Sequence, residues 1–285
     1  MNSSQFLGIT TFTYLFSTLL YAFIFVFKTP RLGPVATFFT AVAFLIQTAG
    51  IALRWVESYQ MGIGHAPLTN MYESVVFFAW TIVALYLIIE WKFQARIIGV
   101  FTIPLAFLAM AYASFSADVS KSIAPLVPAL QSNWLIAHVI TCFIGYAAFA
   151  VAAGLGIMYL LKNRNQPPTG ASTPQSVEPL LSLSFIDDLI HKTMIFGFIW
   201  LSGGIITGAI WANSAWGTYW SWDPKETWSL ITWFFYAITL HARYTRGWSG
   251  KKIALLAVFG FVSVLFTYYG VNFLLSGLHS YGSRP

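Results

Sequence analysis

Charge is the scarcest thing in this sequence. Asp, Glu, Lys and Arg make up 8% of the residues and hydrophobic residues 58%, whereas a soluble domain carries about 25% charged residues. Such a chain cannot cover a water-facing surface, so it reads as an integral membrane protein. The net charge of +6 then needs no nucleic acid to explain it, and none is expected as a partner. Cysteine is almost missing. Cys142 stands alone, which excludes an internal disulfide and a Cys-x-x-Cys relay within the chain. No internal repeat is visible. The first apolar stretch is long and lacks a basic segment before it, so no cleavable signal is expected.

What is present is a series of apolar segments, each near the roughly 20 residues needed to span a bilayer. Eight are expected, near 6–27, 34–56, 71–91, 96–115, 133–161, 190–212, 225–243 and 252–273. The fold class is therefore all-α, a single polytopic membrane domain over 1–285. Lys and Arg sort unevenly between the two sets of connections. Eleven fall in one set (Lys28, Arg31, Lys92, Arg96, Lys162, Arg164, Lys192, Arg243, Arg246, Lys251 and Lys252) and four in the other (Arg54, Lys121, Lys225 and Arg284). The basic set is assigned to the cytoplasmic side, which places both termini outside. The segment 163–179, NRNQPPTGASTPQSVEP, reads as a flexible cytoplasmic loop. GIITG, Gly204 to Gly208, reads as a helix-packing pattern.

Between Trp211 and Trp228 lie five tryptophans, WANSAWGTYWSWDPKETW. Asp223, Pro224 and Glu226 have the order of a capping box, as do Asn70 and Glu73. Asp223 is thus expected to start the seventh helix. The aromatics admit two readings: an interfacial belt, or an external platform for a flat π ligand, with Gly217 allowing a tight bend. Of five histidines, His138 and His279 fall at the outer level of this loop. Two imidazoles flanking an aromatic platform suit a planar metal macrocycle with axial histidine ligands. Cys142 follows His138 by one helical turn but reads as a small buried residue rather than a metal partner. His65 reads as structural, and His191 as incidental to the inner start of the sixth helix.

WGTYWSWDPKETW resembles the tryptophan-rich WGxxWxWD signature of the haem-handling proteins of cytochrome c biogenesis. GHAPLTNMYES, LQSNWLIAHV, LHARYTRGW and VNFLLSGLHSYG resemble the CcsA (ResC) branch of that family. The likeness runs from about residue 50 to the end. It implies that His138 and His279 ligate haem iron on the outer side, over a haem-binding loop at 211–226 to which Trp216, Gly217, Trp220, Trp222 and Asp223 belong. It also implies that His241 ligates haem at a second, inner site. His241 is 18 residues beyond Asp223, roughly 27 Å along a helix at about 1.5 Å per residue, which is most of the thickness of the hydrocarbon core. It reads either as a polar tip beside Arg243 or as one ligand of that inner site. The opposite ligand would then come from a partner, with His191 as the in-chain alternative.

The resemblance further implies a function. Haem b, as bound substrate, is moved across the membrane and presented outside for attachment to the Cys-x-x-Cys-His motif of apocytochrome c. The partner is a CcsB (ResB) protein, and the membrane a bacterial inner or a thylakoid membrane. The sequence around the tryptophans offers no catalytic dyad, so the chain is at most a subunit of a haem lyase complex. Two other classes compete. A secondary transporter would favour inverted repeats and midplane sites. A bis-His electron-transfer haem protein would place its ligands across the bundle interior.

Overall fold

The computed structural model describes residues 2–164, 182–275 and 277. Most of the 163–179 segment, and His279, lie outside the described residues. Eight long helices follow one another: α1 (Ser3–Phe27), α2 (Gly33–Gln60), α3 (Met71–Phe93), α4 (Gly99–Phe115), α5 (Asn133–Arg164), α6 (Leu183–Trp216), α7 (Pro224–Arg246) and α8 (Lys251–Leu265). After α8, a π-helical turn, Phe266–Gly270, leads into a short α9 (Val271–Leu274). No strand occurs among the described residues, and the protein is an all-α integral membrane protein.

Seven helices among the described residues are long and apolar enough to cross a membrane. The exception is α7, the seventh of the eight expected spans. It has the length, 23 residues, but carries Lys225, Glu226, His241, Arg243 and Arg246 and buries Thr232, Tyr236 and Thr239. Its hydropathy is low because it packs polar side chains inward, not because the helix is missing.

The centre is α5. Its residues from Phe143 to Gly156 are buried almost without interruption, many of them Ala or Gly. Small side chains let neighbouring helices come close, which in lipid replaces the hydrophobic drive available in water. Helices α3, α4, α6 and α8 all pack on it. Helices α1 and α2 complete the other side through α4 and α3.

The helix ends are set by local chemistry. Asn2 and Gln5 form a capping box at α1, as Asp223 and Glu226 do at α7. At α3, Asn70 caps by accepting the Glu73 N–H at 2.9 Å, but the Glu73 side chain does not return to Asn70. It accepts from the Thr69 N–H, and it meets Arg54 Nε at 2.8 Å inside the protein. A buried guanidinium demands its carboxylate more strongly than a cap does. Lys28, Gln94, Gly217 and Gly247 end their helices in the left-handed region, which satisfies the last carbonyls.

The basic connections gather at one end. Phe93 touches Phe185, Arg243 pairs with Asp187 at 2.8 Å, and the Gly250 N–H donates to Asp187. The other end holds Arg54, Lys121 and Lys225 together with the tryptophan loop. On the charge-bias expectation that the basic end faces the cytoplasm, Thr218→Cys in a Cys142→Ala background should react with an impermeant maleimide from outside intact cells. Ser249→Cys should react only after permeabilisation. The opposite labelling pattern inverts the topology.

Candidate functional site

A cavity of about 200 Å³ lies at the end opposite the basic connections. Its wall carries Phe143, Tyr146, Trp211, Tyr219, Trp220 and Tyr268, with His138 among them. The cavity is built on the α5–α6 contact. His138 Nδ1 lies 2.8 Å from the Gly204 carbonyl, which accepts its proton. This bond selects the tautomer in which Nε2 bears the lone pair, the arrangement of a ligating imidazole held by a backbone carbonyl.

Glycine makes that seat. A Cβ on Gly208 would stand 2.6 Å from His138 Nδ1, and one on Gly204 would stand 2.5 Å from Cys142 Sγ. The GIITG pattern therefore does pack helices, and what it packs against is Cys142 and His138. Cys142 is buried, and no group of three or more metal-capable side chains occurs among the described residues.

Trp211 stacks on His138 with ring centroids 5.9 Å apart and planes at 19°. It is fully buried, and its indole N–H donates to the Ala129 carbonyl at 2.8 Å. Trp216 meets Trp211 edge-on at 4.9 Å. Helix α6 runs through both, so the first part of the 211–226 segment is helical and the connection shrinks to 217–223. Trp220 lines the cavity and meets Trp222 edge-on at 5.8 Å. Trp222 is 68% exposed and sits at φ 60, a left-handed conformation that costs a bulky residue about 1–3 kcal/mol. Its neighbours hold it there. Glu226 Oε2 accepts the N–H groups of Ser221 and Asp223, and Asp223 Oδ1 accepts that of Lys225. Asp223 is thus a buried helix cap beneath an exposed tryptophan. Gly277, two residues before His279, passes so close to Asp223 that a Cβ there would overlap its Oδ2.

The other described histidines stand apart. His65 is buried, with Nδ1 on the Ala66 carbonyl and Nε2 on the Ala124 carbonyl, tying two outer connections together as a structural residue does. His241 is exposed on α7 near the basic end. His191 meets Tyr244 edge-on at 5.4 Å there. The structure therefore brings His138, Trp220 and Asp223 to one end and leaves His241 at the other. Sequence reasoning passed over Lys225 and Asn272 on the cavity wall. Lys225 had been visible only as one more charge in a loop, although it stands inside the tryptophan signature.

Against known proteins, residues 68–279 match the family described as "Cytochrome C assembly protein". A protein of Synechococcus sp. (strain CC9902) named "Cytochrome c biogenesis protein CcsA" is 40% identical over 297 residues, covering 97% of this chain and 95% of that one. The protein of the same name from Gloeobacter violaceus is 39% identical, covering 90% and 88%. That from Mesostigma viride is 44% identical over 252 residues, covering 81% of each. Among solved structures, "Cytochrome c Heme Lyase CcmF" superposes with a TM-score of 0.70 at 16% identity, over 94% of this chain and 47% of that one. The chain spans about half of that protein's length, and the likeness is one of fold.

Gly208→Ala should destabilise the purified full chain by about 1–3 kcal/mol, the usual cost of overpacking, because the imidazole cannot give way without losing the Gly204 bond. Gly203 lies one residue from Gly204 on α6, with nothing within 4 Å of its missing Cβ. Gly203→Ala should be neutral or stabilising, since Ala is the better helix former by up to about 1 kcal/mol. Thermal melts in detergent check the opposite signs.

Proposed function

This chain belongs to the CcsA family of cytochrome c assembly proteins and acts in cytochrome c biogenesis as an integral membrane protein; from that premise we propose that it binds haem b as substrate, moves it across the membrane and presents it on the outer side for attachment to apocytochrome c. The observation that carries this reading is His138. Its ring stacks on Trp211 in the wall of an aromatic-lined cavity, and its Nδ1 is held by the Gly204 carbonyl. An apolar, aromatic cavity with one carbonyl-oriented imidazole has the chemistry to receive a flat macrocycle and its iron.

His279 is the second outer ligand on this reading. Trp220 and Trp222 supply stacking area, Trp216 supports Trp211, Gly217 makes the bend, and Asp223 fixes the start of α7. Attachment adds a cysteine S–H across a haem vinyl C=C, with no net electron transfer. The reacting groups belong to haem and apocytochrome c, so the protein's tasks are binding, orientation and access. An exposed aromatic loop beside the cavity suits delivery to another protein. It has no evident use in an electron carrier, whose haem is best enclosed.

The inner site needs a partner on this reading. His241 is exposed on α7 where the bundle meets the basic connections, and an imidazole left open toward lipid there carries a cost. A CcsB (ResB) subunit covering α7 would remove that cost and supply the second ligand. The membrane is a bacterial inner or thylakoid membrane.

His138→Gly in cells expressing the complex should abolish holocytochrome c formation, with partial recovery on adding imidazole, which fills the vacated ligand position. Trp220→Ala should weaken haem retention without any imidazole effect. His241→Gly should lower the haem content of the complex while leaving the outer site able to take haem added from outside. Holocytochrome yield and the absorption spectrum of the purified complex are the measurements. Absence of imidazole rescue at normal protein levels would remove axial ligation by His138.

A further inference from the structure

Lys225 is the only Lys or Arg on the cavity wall among the described residues, and the charge of nearby Asp223 favours its ammonium without forming an ion pair with it. It occupies the first turn of α7, where the helix dipole opposes positive charge. Its ammonium forms no ion pair among the described residues. The two neighbouring carboxylates are otherwise engaged. Asp223 caps the helix, and Glu226 accepts from the N–H groups of Ser221 and Asp223.

What the ammonium does have is Asn272. Nζ donates to Asn272 Oδ1 at 2.9 Å, and Asn272 Nδ2 donates in turn to the Tyr268 carbonyl at 2.7 Å. The second bond fixes which way the amide points, so its oxygen faces the lysine. An ammonium has three donors, and a neutral amide oxygen occupies one. A half-buried cation on a mostly apolar wall is expensive unless an anion completes it.

We propose that Lys225, oriented by Asn272, binds a carboxylate of the molecule that the cavity receives. This rests on the haem reading above, and there the carboxylate is a haem propionate. Haem b carries its propionates and its vinyls on different edges of the ring. Holding the carboxylate edge at Lys225 while His138 takes the iron fixes the direction in which the vinyl edge is presented. Lys225 is thus an orienting residue as well as a source of affinity.

Haemin and its dimethyl ester, which lacks the carboxylate charges, separate the two claims. Each porphyrin is titrated into the purified partner complex, depleted of haem, carrying the wild-type chain, Lys225→Met, Lys225→Arg or His138→Gly. The wild type should prefer haemin by about ten- to a hundredfold, the size of a charge-assisted hydrogen bond. Lys225→Met should bind the ester within about twofold of wild type and lose the preference for haemin. Lys225→Arg should keep most of that preference. The Soret band of the bound ester should be unchanged in Lys225→Met and altered in His138→Gly. Equal wild-type affinity for the two porphyrins overturns the proposal, as does a Lys225→Met variant that weakens both alike. A wild-type complex that binds neither porphyrin removes the haem reading and this inference together. Binding of both with no spectral change in His138→Gly removes only the role of His138.

Discussion

Close approach of α5 and α6 is the constraint on which the outer cavity depends. Gly197, Leu201, Gly204, Gly208 and Trp211 recur at steps of four, three, four and three residues, so they share one face of α6. Each meets α5 at a defined point. A Cβ on Gly197 would strike the Phe149 ring, and Gly145 on α5 lies under the Leu201 backbone. Gly204 faces Cys142, Gly208 faces His138, and Trp211 closes the row by stacking on that imidazole. In lipid, helices gain little from burying Leu against Leu, so this seam is made of contacts that only small residues allow. Its chemical product is an exposed carbonyl. The Gly204 oxygen can accept a side-chain donor from α5 because neither Gly204 nor Gly208 places a side chain in the way. The packing and the tautomer of His138 are consequences of the same absence of Cβ atoms.

The connections at the cavity end are held by a different means. They emerge from lipid into an interface where apolar burial is small, and buried polar bonds do the work. Arg54 reaches from α2 to Glu73 at the start of α3 and donates to the Ser122 carbonyl. His65 joins the 61–70 connection to Ala124, and Trp211 reaches Ala129 in the turn before α5. Ser3 bonds the Glu57 carboxylate through both its N–H and its hydroxyl. These bonds hold the connections of this end together. The tryptophan connection at 217–223 is short and strained at Trp222, and it keeps its shape through the Asp223–Glu226 box.

Much of this was legible in the sequence, in physically distinct degrees. Apolar runs of spanning length identify helices because lipid leaves the backbone no other way to satisfy its polar groups. The caps at Asn70 and Asp223 could be read from three-residue spacings. Seven apolar spans follow from hydropathy, whereas α7 shows that a bundle helix need not be apolar when its inward face is Thr232, Tyr236 and Thr239. Two things were beyond reach. The destination of the Glu73 side chain depends on Arg54, which is 19 residues away. The surroundings of Lys225 depend on Asn272, which is 47 residues away. Counting charges by loop treats Lys225 as a topology signal, and only the fold places it beside His138 on one cavity wall. The apolar run of the sixth span stops near residue 212, so the aromatics beyond it read as a loop, and nothing local shows that α6 persists to Trp216.

Helix α7 links the two ends. Ile231, Phe234 and Ile238 are exposed at steps of three and four residues, and the next step of three reaches His241, also exposed. An outward stripe that is apolar for two turns therefore ends in an imidazole. Arg243, two residues on, pairs with Asp187 at the start of α6, which places His241 at the level where the bundle meets the basic connections. Lys225 lies at the opposite end of the same helix, on the wall of the cavity that also carries His138 of α5. Roughly 24 Å of helix separates positions 225 and 241 at about 1.5 Å per residue, so His241 cannot reach an iron held by His138 at the Lys225 end. Two sites are then required on the proposed reading. The outer one is walled by α5, α6 and α7 of this chain. On that reading the inner one lies on a surface left open among the described residues, where the stripe of Ile231, Phe234 and Ile238 would give a partner helix something apolar to pack on.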